Sequence, residues 1–142
     1  MNRYDDIFAL AALFKTFFKG ISNDWNKHGF GLTLPQFKVM YLIEREGPRK
    51  VSEIAHSLGI TPSGVIWITD QLEKEGYVRK ERAETDRRVV HVILTDPGGQ
   101  QLHQAQALQK QLMQSYFHLL TDEDIGHLQR IFTTLNQSLD QT

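Results

Sequence analysis

Between Ser52 and Gly76 the chain is divided by its own start and stop signals into two short helices. Ser52 sets the start of the first, which carries Ile54, Ala55 and Leu58 and stops at Gly59. Ile60 follows, in the place of the hydrophobic contact that accompanies a glycine C-cap. Thr61-Pro62 then opens the second helix at once, with proline where the missing amide loses no partner. Val65, Ile68 and Leu72 give that helix one apolar face, and Gly76 ends it. The spacing predicts helices at 53–58 and 62–75 joined by a tight turn holding one glycine, which is a helix-turn-helix.

The period then changes. Val78 to Arg82 alternates loosely, Val89 to Leu94 is β-branched, and the polar stretch Ala83-Glu84-Thr85-Asp86-Arg87 lies between them. This predicts a β-hairpin with a charged tip, the wing of a winged helix-turn-helix. Upstream, Thr33-Leu34-Pro35-Gln36 is a capping box that opens a helix running to about Glu46, where Gly47-Pro48 stops it. Residues 5–21 put Ile7, Phe8, Leu10, Phe14, Phe17 and Phe18 at helical spacing, and 22–32 read as a helix end and loop. Thr95-Asp96-Pro97 starts a long helix with Leu102, Ala105, Leu108, Leu112, Tyr116 and Leu119 in one stripe. Thr121 caps the last helix, whose acidic first turn suits the helix dipole. The fold class is mostly α with a small β-hairpin wing. A winged part at about 33–95 is flanked by helices at about 5–22 and 96–140 in one chain of 142 residues.

Composition removes several functions. There is no cysteine, so disulfides, a thiolate metal site and a thiol switch are excluded. The apolar run Ile7 to Phe14 is preceded by Asp5 and Asp6 and is far short of the roughly 20 residues of a membrane span, so no targeting segment or membrane contact is expected and the chain reads as cytoplasmic. None of the six histidines stands three or four residues from another, so no helix face offers paired ligands and no metal is expected. There is no G-x-S-x-G, no phosphate-cradling glycine loop and no H-E-x-x-H, so the chain reads as no enzyme and no cofactor is expected.

The formal net charge of −1 does not announce a nucleic-acid binder. The distribution says more: Arg79, Lys80, Arg82, Arg87 and Arg88 fall within ten residues of the hairpin, with Glu81, Glu84 and Asp86 among them. That cluster is either a solvated hairpin or a phosphate-facing edge. The terminal helices are apolar on one stripe and must bury it, either on their own winged unit or against a second copy as a two-fold bundle.

The order of Leu34-Pro35-Gln36-Phe37, Ser52-Glu53-Ile54-Ala55, Gln71-Leu72-Glu73-Lys74-Glu75-Gly76-Tyr77-Val78, Asp86-Arg87-Arg88 and Leu94-Thr95 resembles the MarR family of bacterial regulators over nearly the whole chain. The resemblance implies a homodimeric, winged helix-turn-helix regulator of transcription. Such a protein binds pseudo-palindromic double-stranded DNA, usually as a repressor, and often releases it when a small aromatic or anionic effector binds. Within the family's D-x-R wing signature, Asp86 and Arg88 match the paired positions, with Arg82 and Arg87 beside them, and the arginine enters the minor groove. The recognition helix matches at Thr61, Pro62, Ser63, Gly64, Ile66, Trp67 and Gln71. Here the chain departs from its relatives, which more often carry arginine at the positions of Trp67 and Gln71. Gln71 remains able to pair with adenine, while Ile66 and Trp67 suit thymine methyl groups. An exposed Trp-Ile pair equally suits a partner protein, so a winged-helix protein-interaction module without specific DNA binding is the rival reading. An effector pocket is expected near Trp25, His28, Phe30 and Phe37, against the alternative that these are packing aromatics and a surface histidine.

Overall fold

Four threonines start four helices. The computed structural model describes residues 2–28 and 31–140. Thr33 Oγ1 accepts the Gln36 amide at 3.2 Å while Gln36 Oε1 accepts the Thr33 amide at 2.9 Å, opening α2 (Leu34–Glu46). Thr61 Oγ1 accepts from Gly64 at 3.1 Å to open α4 (Pro62–Lys74). Thr95 does the same for Gly98 at the start of α5 (Asp96–Phe117). Thr121 and Asp124 exchange two bonds at the start of α6 (Asp122–Asp140). Each such cap satisfies amides the helix itself leaves unpaired and is worth about 1 kcal/mol.

Three boundaries differ from the sequence expectation, and the plainest is α5, which stops at Phe117 and leaves Leu119 of the expected stripe exposed in the turn beyond it. α1 runs Arg3–His28, so residues 22–28 are helix and not loop. The cause is Trp25, which is only 2% exposed. Its indole N–H donates to the Leu32 carbonyl at 3.0 Å and its ring lies 4.8 Å from that of Phe37. Burial of one large ring outweighs the weak helix preference of Asn23 and Asp24. α3 (Val51–Leu58) begins one residue before Ser52, and its N-cap is Lys50, whose amide donates to Glu53 Oε1 at 3.0 Å. Ser52 is displaced from the cap because the preceding pair Arg49–Lys50 is a strand, β1, which the sequence did not announce. The stop signals hold: Gly47, Gly59 and Gly76 all take positive φ, the last two at +66° and +79°.

β1 joins β2 (Val78–Arg82) and β3 (Val90–Leu94) in an antiparallel sheet of order β1-β3-β2. Val78 faces Leu94 and Arg82 faces Val90 across the hairpin, while Arg49 faces Val92 on the other side of β3. The sheet is fastened to α5 through Thr95, whose amide donates to the Tyr77 carbonyl at 3.0 Å and whose hydroxyl donates to the Gly76 carbonyl at 2.6 Å. Gly98 permits this approach, because a Cβ there would run into the Tyr77 carbonyl.

The chain divides into two compact units, Met1–Leu108 and Gln109–Thr142, the division falling inside α5. The first holds the core: Phe37, Val39, Met40, Ile54, Val65, Leu72, Val78, Val92 and Leu102 are all buried. Yet the N-terminal two-thirds of its α1 leaves Ile7, Phe8, Leu10, Leu13 and Phe18 exposed. In the second unit Ile125 and Leu128 of α6 are half-buried, and Ile131 and Leu135 are exposed. No helix among the described residues is long and apolar enough to cross a membrane.

Candidate nucleic-acid interface

α4 packs on the core through Val65, Ile68, Thr69 and Leu72 and turns the opposite face outward. Residues three or four apart share one face of a helix, so burial of that stripe fixes which residues are turned outward. Thr61, Pro62 and Ser63 are exposed at its start, and the Thr61 and Ser63 hydroxyls lie 3.2 Å apart. Gly64 is half-buried, and a Cβ on it would press on Thr61 Oγ1 at 3.2 Å, so the first turn is kept slim by the cap itself. Ile66 is 46% and Trp67 is 66% exposed. Asp70 is also exposed, but its carboxylate is paired with Lys80 Nζ on β2. Gln71 differs from expectation: it is half-buried, and its Oε1 accepts from Gln36 Nε2 at 3.2 Å. Helical spacing places it on the outer face and has no means of finding a partner 35 residues away.

The wing tip is built by one carboxylate. Asp86 Oδ1 accepts both the Arg88 amide, at 3.0 Å, and Arg88 Nε, at 3.1 Å, while Oδ2 accepts Arg88 Nη2 at 3.3 Å. The two-point clasp fixes the plane and direction of a guanidinium that is otherwise 92% exposed. The same Arg88 bonds, side chain first and backbone second, hold the Asp86 carboxyl below its ordinary pKa. Arg82 turns back to donate to the Arg87 carbonyl at 2.6 Å, and the Ala83 amide reaches the Val89 carbonyl at 2.9 Å, closing the loop beneath. Arg87 is exposed beside Arg88. Lys80, part of the basic cluster read from the sequence, neutralises Asp70, and Lys50, which sequence reading did not single out, has a charge that favours ionised Asp86. Only the register across β1 and β3 brings Lys50 near the hairpin.

Three residues of the expected effector group are among those the structure describes. Trp25 and Phe37 are packed on one another in the core, and His28 is exposed at the end of α1. Phe30 lies outside the described residues. The aromatics satisfy each other and the Leu32 carbonyl, so the packing alternative accounts for them. A half-open cleft of about 410 Å³ beside α2 and α4 is lined instead by residues that include Leu32, Gln36, Gln71, Lys74 and Tyr77. Among the described residues no three His, Asp or Glu side chains group as a metal site.

A helix that bares its outer face after a tight glycine turn, next to a hairpin that offers an oriented arginine, defines the winged helix-turn-helix class. A family model described as the MarR family matches residues 32–90. The HTH-type transcriptional repressor MdtR of Bacillus subtilis is 32% identical over 110 residues, which are 78% of this chain and 71% of that protein. The crystal structure of the YusO protein of Bacillus subtilis is 30% identical, covers 94% of each chain and superposes with a TM-score of 0.68. A mutant MarR of E. coli, solved with operator DNA, shares the fold at 22% identity, a TM-score of 0.83 and coverage of 95% of this chain and 99% of that one. This chain belongs to the MarR family. It is a DNA-binding regulator of transcription and not an enzyme.

Proposed function

We propose that the chain acts in the cytoplasm as a homodimeric repressor on pseudo-palindromic operator DNA, and that a small aromatic or anionic effector releases it. In this reading α4 of each protomer enters a major groove, the two about 34–36 Å apart, and each wing reaches the adjoining minor groove. The observation that carries the docking is Arg88, exposed at the wing tip and aimed by Asp86. A narrow minor groove concentrates negative potential, and a guanidinium whose orientation is already fixed loses little freedom on entering it. The dimer is supported by the apolar residues that α1 leaves exposed and, separately, by those that α6 leaves exposed, since faces of this kind mark interaction surfaces and a second copy can cover them. Operator occupancy then blocks the promoter, and release follows when an effector favours a protomer arrangement with the wrong half-site spacing.

Fluorescence anisotropy with DNA from upstream of the protein's own coding sequence, beside a scrambled duplex and at two salt concentrations, tests the docking. Selective binding that weakens by about 0.9 log units per phosphate contact per log unit of salt is expected. Salt-insensitive binding, or none above the scrambled duplex, removes it. A mass measurement at micromolar concentration that finds only the 16.4 kDa protomer removes the dimer. Titrating the bound complex with benzoate-type aromatic carboxylates tests release, and an unchanged anisotropy across that series counts against an effector of this class.

A further inference from the structure

The outer face of α4 carries no basic residue before its last turn, where Glu73 and Lys74 stand side by side near Trp67 and Asp70. Along the stripe Ser63, Ile66, Trp67 and Asp70, the only ionisable group is the Asp70 carboxylate, and Lys80 already holds it. Guanine is read in the major groove by arginine or lysine on its O6 and N7, and the single basic residue of this helix, Lys74, lies in its last turn. Adenine is read by asparagine or glutamine through oxygen and nitrogen together, and the Gln71 amide is half-buried with its oxygen bonded to Gln36. Cytosine is read by a free carboxylate, and Asp70 is not free. What the helix does present is Ile66 and Trp67, adjacent, exposed and set one turn beyond the hydroxyls of Thr61 and Ser63. The major groove holds a single apolar group, the thymine C5-methyl, with the O4 acceptor beside it for an indole N–H.

We infer that this protein selects its half-sites through thymine methyl groups packed against Ile66 and Trp67, with the wing supplying the charge that the helix lacks. The inference rests on α4 entering the major groove. It names the chemical group that is read there, and it makes Trp67 the residue that sets specificity.

The test uses duplexes recovered by selection from a randomised library with the full-length protein. Each half-site thymine is replaced in turn by deoxyuridine, which removes only the methyl. At one thymine or more per half-site the affinity falls about fourfold, the equivalent of roughly 0.8 kcal/mol for one buried carbon, and about fifteenfold when both half-sites are changed. Deoxyuridine also alters duplex flexibility, so the coupling decides: in Trp67→Ala the same replacement has no further effect. Trp67 is exposed, so this variant keeps the wild-type melting temperature. A 5-methylcytosine at the same step recovers part of what cytosine loses, and Trp67→Arg moves the preference there toward guanine with a steeper salt dependence. Full affinity for an all-deoxyuridine duplex, or a deoxyuridine penalty unchanged in Trp67→Ala, overturns the inference while leaving groove docking intact. Failure of the wild-type protein to enrich any duplex removes the docking reading and the inference with it.

Discussion

The two elements proposed to meet DNA are built in opposite ways. The wing concentrates charge and orders it locally: Asp86 aims Arg88 from two residues away and Arg82 braces the loop from five. α4 cancels charge and is ordered from a distance: Lys80 on β2 neutralises Asp70, and Gln36 on α2 draws in Gln71. The difference separates two quantities that bulk charge confounds. Affinity for a polyanion comes from cations that reach it, and selectivity comes from groups that differ between base pairs. A chain with a net charge of −1 can therefore bind DNA well, provided that exposed cations such as Arg87 and Arg88 stand at the tip of a hairpin and the acids beside them are paired.

If affinity resides in the wing, Arg88→Ala produces the largest loss. One charge-assisted contact is worth about 1.5–3 kcal/mol, and a two-fold dimer makes it twice, so operator affinity falls by roughly a hundredfold or more. The slope of log affinity against log salt becomes shallower by about two, while the preference for operator over scrambled DNA changes little. Anisotropy at several salt concentrations reads both, and a drop of less than twofold would break the division of labour between wing and helix. Asp86→Ala comes next. It removes the acceptor that aims Arg88 and adds net positive charge, so operator affinity falls by about tenfold while binding to scrambled DNA strengthens. A loss on both duplexes would instead mean that the loop had collapsed.

Much of this was legible before any coordinates. Thr33, Thr61, Thr95 and Thr121 cap the helices they were expected to cap, because a hydroxyl next to an orphan amide is a local fact. The helix-turn-helix and the wing followed from glycine and proline punctuation and from a change of period. What escaped depended on partners remote in sequence. Trp25 extends α1 by filling a hole beside Phe37, against the preference of the residues around it. The two-residue strand β1 exists only because β3 offers it an edge. Gln71 looked outward on a helical wheel, and nothing in the periodicity pointed to Gln36. Helical spacing alone puts Trp67 opposite the buried stripe, and it is exposed. Trp25 and Phe37, read as neighbours of a pocket, pack on one another, a contact that no sequence pattern announces.

On the helix side, the Asp70–Lys80 pair offers a smaller test. Asp70→Asn leaves an amide where a carboxylate stood and frees the Lys80 ammonium beside α4. Binding strengthens by about threefold to fivefold on operator and scrambled DNA alike, with a steeper salt slope, because the gain is electrostatic and carries no base information. A gain confined to operator would mean that Asp70 itself reads a base, and the contrast with the wing would have to be redrawn.

The smallest expected effect concerns pH, and it follows from the same clasp. Arg88 holds the Asp86 carboxyl below its ordinary pKa of 3.8, so the bond between them is complete above that value and is lost only as pH falls through the lower one. The wing is therefore fully aimed throughout pH 5–8, and operator affinity is flat over that window as far as Asp86 is concerned. Carbon-detected NMR titration of the Asp86 carboxyl checks the cause: the midpoint lies below that of an ordinary aspartate and rises toward it in Arg88→Ala. A midpoint that does not move in that variant would show that Arg88 is not bound to Asp86 in solution. The guanidinium would then swing freely on its loop, and the wing, like α4, would depend on more distant partners for its direction.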